Sequence, residues 1–205
     1  MHPSLETIRE RILQAVPEAD VEVIPNPGPS GQDSLLLSPG HALAVARLLR
    51  DDPELRLDYC SNVTGIDWPD TTVKEKVNVR EGDEDVDSPS DRVKPGFLEV
   101  VYHLYSMSRK HGPVILRLRT ADRDTQVDLP SLTPVWKSAE FQEREILDLY
   151  GVRFTGHPDP TRLLMWENFE GHPMRKDYSP PPEDDDETEP ASGVGERDRH
   201  DCHRR

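Results

Sequence analysis

The stretch FLEVVYHLYSMSRKHGPVILRLR, residues 97–119, leaves few ways to fold. Its first part sets Leu98, Val100, Tyr102 and Leu104 against Val101 and Tyr105, and its second part sets Val114, Leu116 and Leu118 against Ile115, Arg117 and Arg119. A period of two belongs to strands, because successive side chains point to opposite faces. His111-Gly112-Pro113 is turn chemistry, so the pattern predicts an antiparallel hairpin over 97–107 and 114–119. Such a hairpin has an apolar face, and the chain must supply a layer to cover it.

Helices can form that layer. Leu5, Ile8, Ile12 and Val16 fall at helical spacing and predict an amphipathic helix over 4–16. Ser38-Pro39 offers a cap and a first-turn proline for a second helix, expected to end near Arg50 before Asp51-Asp52-Pro53. Short strands are expected at Val21–Ile24 and Ser34–Leu37, around a proline- and glycine-rich turn at 25–31. Others are expected at 57–66, with Leu57, Tyr59, Ser61 and Val63 on one side, and at 73–79. Helices mixed with consecutive strands, and no GxGxxG or Walker loop, point to an α+β fold: a mixed or antiparallel sheet with flanking helices. This body is expected over 1–150, with an acidic loop inserted at about 80–96.

Charge marks what is attached to the body. The net charge is -15, of which residues 81–91 carry six acids without a base, and residues 183–205 nine acids against four arginines. The body itself is therefore only mildly acidic. Residues 179–205 hold little to bury and are expected to be a disordered acidic tail. No basic patch emerges, which argues against a nucleic-acid partner. No apolar run is long enough to span a bilayer, and the N-terminus lacks a secretory pattern. Cys60 and Cys202 make no CxxC pair, which fits a reducing compartment and no iron–sulfur or zinc framework.

The chemistry-bearing residues gather in EREILDLYGVRFTGHP, residues 143–158. A helix is expected from an N-cap at Ser138 to a C-terminal glycine at Gly151. On it Ile146, Leu147, Leu149 and Tyr150 fill one arc; Glu140, Arg144, Glu145 and Asp148 fill the opposite arc, with Arg144 spaced to pair with Glu140 and Asp148. Glu143 falls within the apolar arc and needs an arginine, backbone amides or a partner protein, or else becomes protonated; as an ion pair it would tie the helix to the Gly-His-Pro loops or to a neighbouring subunit. Two Gly-His-Pro loops follow, at His157 and His172. With Asp159 they form a possible metal set for a hydrolase, but their spacing matches no metal motif. Residues 151–178 also contain Phe154, Leu163, Leu164, Met165, Trp166, Phe169 and Met174 with little periodicity. An irregular segment this apolar either packs on its own body or lies on another protein.

WKSAEFQEREILDLYGVRFTGHPDPTRLLMWENFEGHPMRKDY resembles the signature of the 30 kDa subunit family (the C subunit) of proton-translocating NADH:quinone oxidoreductase, respiratory complex I. The matching positions are Glu143-Arg144-Glu145, Asp148, Leu149-Tyr150, His157 and Leu163-Leu164, then Gly171, Pro173, Arg175, Lys176, Asp177 and Tyr178. Val63-Thr64-Gly65-Ile66-Asp67 and residues 97–105 also resemble the family, and Thr161 departs from it, beside Arg162.

The resemblance implies a non-catalytic member of the hydrophilic, quinone-reducing arm, peripheral on the cytoplasmic face of a bacterial inner membrane. It implies no cofactor in this chain, with FMN, iron–sulfur clusters and quinone on other subunits. The implied partners are chiefly the hydrogenase-like D subunit, with the B and I subunits nearby. Glu143, Arg144, Glu145, Asp148, Gly151, His157, Pro158, Arg162, Gly171, Pro173, Arg175, Lys176, Asp177 and Tyr178 become an architectural motif, and 151–178 a partner-docking segment. A homologous subunit of a membrane-bound hydrogenase or related dehydrogenase is the near alternative. The metal-dependent hydrolase and an acidic interaction protein working through its tail are the distant ones.

Overall fold

A computed structural model describes the backbone of residues 3–81 and 84–180, and the side chains of these except 75–90. The elements run α1 (Leu5–Ala15), β1 (Val21–Ile24), β2 (Ser34–Leu37), a short 3-10 turn (Pro39–His41), α2 (Ala42–Asp51) and β3 (Tyr59–Trp68). They continue with β4 (Thr71–Glu81), β5 (Glu84–Lys94), β6 (Phe97–Ser106), β7 (His111–Arg119), β8 (Asp128–Pro130), α3 (Ala139–Tyr150) and β9 (Arg153–Thr155).

Five strands form one mixed sheet in the order β1-β2-β7-β6-β3, parallel only between β2 and β7. The α+β reading holds. The alternation in β6 and β7 is realised as expected: Leu98, Val100, Tyr102, Leu104, Leu116 and Leu118 are fully buried. They pack with Ile8 and Ile12 of α1 and with Ala42, Val45, Ala46 and Leu49 of α2 in one core. Burying a Leu or Ile side chain contributes roughly 1.5–3 kcal/mol, so this layer holds the sheet together.

Several expectations need correction. The β6–β7 turn lies at 107–110, and His111-Gly112-Pro113 begins β7 instead. In β3 a bulge between Cys60 and Asn62 breaks the alternation, so Cys60 and Val63 both face inward while Tyr59 is exposed. Ser38 and Ser138 make no side-chain cap bond. The Ser138 hydroxyl instead donates to the Cys60 carbonyl at 2.7 Å. The acidic loop at 80–96 contains β5, which pairs with β4 from Thr71↔Lys94 to Glu81↔Glu84 as a separate two-stranded ribbon. Serine, proline and aspartate hide a strand from propensity reading, and Pro89 is tolerated because the ribbon has free edges. The expected disordered tail at 179–205 falls, from residue 181 onward, outside the described residues.

Helix α3 lies beside β3 and protects its free edge. Gln142 Oε1 accepts the Val63 amide at 2.6 Å, and Trp136 Nε1 donates to the Leu57 carbonyl at 2.8 Å. Near its far end the Tyr150 ring lies against Gly65, where an added Cβ would come within 2.6 Å of the ring. Glycine at 65 thus sets how closely helix and sheet approach.

Candidate functional site

The site is the α3 helix and the irregular segment wrapped around it. Its N-terminal half belongs to the body. Glu143 is fully buried, and its carboxylate accepts hydrogen bonds from Tyr102 Oη (3.0 Å), Ser131 Oγ (2.6 Å) and the Leu132 amide (2.9 Å). Burial pushes this carboxyl above the usual glutamate range, and those three donors oppose the rise. Burial also lifts the Tyr102 hydroxyl well above its ordinary value and the Cys60 thiol to about 12, with the Glu143 charge adding to each. Glu143 therefore finds hydroxyls and one backbone amide, and it ties α3 to residues 131–133 rather than to the Gly-His-Pro loops.

The C-terminal half belongs to the segment. Asp148, expected on the polar outer arc, is fully buried. One oxygen accepts from Arg162 Nη1 at 2.6 Å. The other accepts three consecutive backbone amides, those of Leu163 (3.1 Å), Leu164 (2.7 Å) and Met165 (2.8 Å). Burial alone would raise this carboxyl, but the amides and the guanidinium outweigh it and hold it below the usual aspartate range. The helical wheel misplaced Asp148 because residues 162–165 cover that part of the outer arc of α3, while Glu145 on the same arc stays exposed.

The end of α3 is closed by the second Gly-His-Pro loop. A helix leaves its last carbonyls without intrahelical partners. Here the Leu147 carbonyl takes the Gly151 amide (3.0 Å), Asp148 takes His172 Nδ1 (2.9 Å), Leu149 takes the Met174 amide (3.1 Å) and Tyr150 takes Arg175 Nε (2.7 Å). Gly151 has φ 80°, as the C-terminal reading requires, and a Cβ there would lie 2.5 Å from His172 Nε2. Partial burial lowers the His172 pKa, which favours the neutral ring that donates through Nδ1.

The first Gly-His-Pro loop closes the other end. His157 is nearly buried; its Nε2 meets the Glu140 carbonyl at 3.0 Å and its Nδ1 accepts the Asp159 amide at 3.1 Å, which assigns the proton to Nε2. Arg144 pairs with neither Glu140 nor Asp148. It reaches Asp159 (3.0 Å), Thr161 Oγ1 (2.8 Å) and the carbonyls of Thr161 and Arg162 (3.1 Å each). The two histidines thus serve carbonyls eight residues apart, about 12 Å along the helix. That separation does not make one metal site, and no group of three or more metal-ligating side chains occurs among the described residues.

Beyond the helix the segment is latched to the sheet. Arg123 holds buried Asp67 through two 2.8 Å bonds and reaches Asp177 at 3.1 Å, while Asp67 also accepts the Lys176 amide at 2.8 Å. Arg175 meets Asp124 at 3.1 Å, and Tyr178 stacks on Phe169. Arg162 also reaches the Gly171 carbonyl, and Pro173 is half-buried. Glu145 and Pro158 are exposed. Sequence reasoning missed Asp67, Arg123, Ser131 and Tyr102 as members of the constellation. Asp67 and Tyr102 lie in stretches that resemble the family, but the pairing of all four with the helix and segment comes only through the sheet.

Several polar groups of the segment are turned inward while part of its apolar surface faces outward; Phe154 is buried and Leu163, Met165 and Phe169 are half-buried. Trp166 is 68% exposed, Leu164 57% and Met174 53%, and Phe141 of α3 is exposed as well. Trp166 packs edge-on to Phe169 at 4.8 Å. The arrangement leaves an aromatic and aliphatic patch exposed on the segment.

Comparison with known proteins gives one family. Residues 35–184 match the family described as respiratory-chain NADH dehydrogenase, 30 Kd subunit. The C subunit of NADH-quinone oxidoreductase from Roseiflexus castenholzii is 36% identical over 171 residues, covering 83% of this chain and 82% of that protein. That of a Nocardioides species is 38% identical over 136 residues, 66% of this chain and 44% of its own. A chain of the membrane-bound sulfane sulfur reductase, an archaeal respiratory membrane complex, aligns with TM-score 0.57 and 20% identity over 85% of each chain. At that identity the likeness is one of fold.

Proposed function

The chain belongs to the family of the 30 kDa subunit of respiratory-chain NADH dehydrogenase, and from that premise we propose that its 151–178 segment holds the hydrophilic arm together without performing chemistry. It is a subunit of an NADH–quinone oxidoreductase, and its partners are other subunits of that complex. No helix among the described residues is long and apolar enough to cross a membrane. Its position is proposed as peripheral, on the cytoplasmic side, against the hydrogenase-like D subunit and close to the B and I subunits. Flavin, iron–sulfur clusters and quinone are assigned to those other subunits.

The observation that carries this reading is the inversion of the segment. Its amides and arginines are used on Asp148, Asp67 and the end of α3, and Trp166, Leu164 and Met174 are left facing outward. Large aromatic groups are typical anchors of protein interfaces. The signature carboxylates and imidazoles, Glu143, Asp148, His157 and His172, are engaged with backbone, hydroxyl and guanidinium groups of the chain. They are suited to shaping a surface, not to turning over a substrate.

The test is the double variant Leu164→Ser, Trp166→Ser in cells that make the complex, read on native gels stained for NADH dehydrogenase activity. Loss of a buried anchor tryptophan costs at least about 2 kcal/mol, so incorporation should fall roughly 30-fold while the isolated chain keeps its unfolding midpoint. Normal incorporation of the double variant would overturn the docking surface. Full incorporation of His157→Gln with abolished turnover would overturn the non-catalytic reading.

A further inference from the structure

The helices cover one face of the five-stranded sheet. The other face carries a second site, which the docking segment touches only at its edge, where Lys176 approaches Trp68. Glu99 is fully buried there and gathers Arg117, Arg119 (Nη2, 2.8 Å) and Trp68 Nε1 (2.8 Å). Arg119 also lies over the Phe97 ring at 3.9 Å, and Lys176 Nζ lies 5.7 Å from the Trp68 ring. Arg117, Arg119, Trp68 and Phe97 line a groove of about 670 Å³ together with Ile66, Val101 and Ile115 and the loop that carries Ser30 and Gln32, and the buried Glu99 lies beneath them.

Three features of the groove point outward from the chain. First is its charge. The chain has 40 acids against 25 bases, yet among the described residues no acid lines the groove. The one carboxylate beneath it faces two guanidiniums, so one positive charge is left over, and Arg119 remains 39% exposed. Second, Arg117 Nε and His103 Nδ1 are buried without a hydrogen-bond partner among the described residues. Most buried polar atoms in folded proteins have a partner, so each of these two calls for one. Third, the groove is continuous with the docking segment: Trp68, 41% exposed, lines it and also meets Lys176, whose amide is bound by Asp67.

We propose that this groove receives an extended segment of a neighbouring subunit that presents an aspartate or glutamate beside apolar side chains. The carboxylate meets Arg119 and Arg117, and the apolar side chains lie on Ile66, Trp68 and Val101. A single surplus cation above an apolar floor suits one carboxylate in a peptide better than a polyanion, which would need a basic stripe. The proposal rests on the chain being a docked member of its complex, but it concerns a different face from the one shown by Trp166 and Leu164.

The experiment places the photo-crosslinking residue p-benzoylphenylalanine at Ser30 in the full chain within the intact complex, and identifies the joined peptides by mass spectrometry. The expected product joins Ser30 to one peptide of another subunit with an acidic residue next to the joint. Arg119→Glu should lower its yield about tenfold, equivalent to about 1.4 kcal/mol of lost attraction. Gln32→Glu, at the rim and outside the Glu99 cluster, should lower it in the same direction without disturbing the fold. Crosslinks only within this chain, only to lipid, to a peptide without an acid, or insensitive to both charge changes would overturn the groove as a peptide site. A chain missing from the purified complex altogether would overturn the docking reading itself. A chain present there, sensitive to Trp166 replacement but silent at Ser30, would overturn the groove alone.

Discussion

Glu143 and Asp148 are two fully buried carboxylates five residues apart on one helix, about 7.5 Å along its axis and about 140° around it. Glu143 is satisfied by the body, through Tyr102, Ser131 and Leu132; Asp148 is satisfied by the segment, through Arg162 and three successive amides. One has its pKa raised by burial and the other has it lowered by its partners. The two acids of one short helix are thus satisfied by different parts of the chain, while His157 and Arg144 tie the segment to the first turns of the helix as well. The two halves should fail differently when each acid is removed.

The largest effect is expected from Asp148→Ala. It leaves Arg162 and the amides of 163–165 without their acceptor, and removing one partner of a buried ion pair costs about 3–5 kcal/mol. Hydrogen exchange at 163–165 should accelerate sharply and limited proteolysis should cut within 162–178, while the sheet stays protected. Unchanged protection of these amides would break the comparison. Glu143→Ala should act on the body instead. Losing the acceptor for the Leu132 amide and two hydroxyls costs about 1–3 kcal/mol. At roughly 2–4 °C per kcal/mol for a chain of this size, the midpoint should fall by a few degrees. Equal loosening of both halves in either variant would mean that α3 and its strap unfold as one unit.

The smallest effect is one of sign. A carboxyl whose folded-state pKa is depressed contributes stability above its unfolded value, and that contribution is lost as pH falls through the folded pKa. The advantage of the parent chain over Asp148→Asn should therefore shrink on acidification below about pH 4. A carboxyl with a raised pKa contributes stability that is present below its unfolded value and lost as pH rises through the folded one. The advantage of the parent chain over Glu143→Gln should therefore shrink as pH rises from about 4 toward neutrality. Thermal unfolding of the three chains over this range checks both, and parallel profiles would show that the two environments are not distinct.

The regular parts of the molecule were legible because each reports on its own local geometry. Alternation in 97–119 found β6 and β7, helical spacing found α1, and Gly151 found the end of α3 by its need for a positive φ. The extent of the ribbon was missed, since a Ser-Pro-Asp sequence has weak strand propensity and the pairing of β5 with β4 supplies what propensity does not. Ser138 was read as a cap from its type and position, yet its hydroxyl goes to Cys60 on β3, a bond 78 residues distant.

Sequence by itself determined that an α+β body precedes an apolar, irregular segment, and that Glu143 is an acid in a place that demands a partner. It also carried the family, through side chains in fixed order from Glu143 to Tyr178. Which acid holds which part of the chain was decided only in three dimensions. Asp148 sits on what helical periodicity marks as the outside, and it becomes the inside when residues 162–165 close over it. Periodicity describes a helix against a single core, and α3 has two: the sheet on one side and its own returning strap on the other.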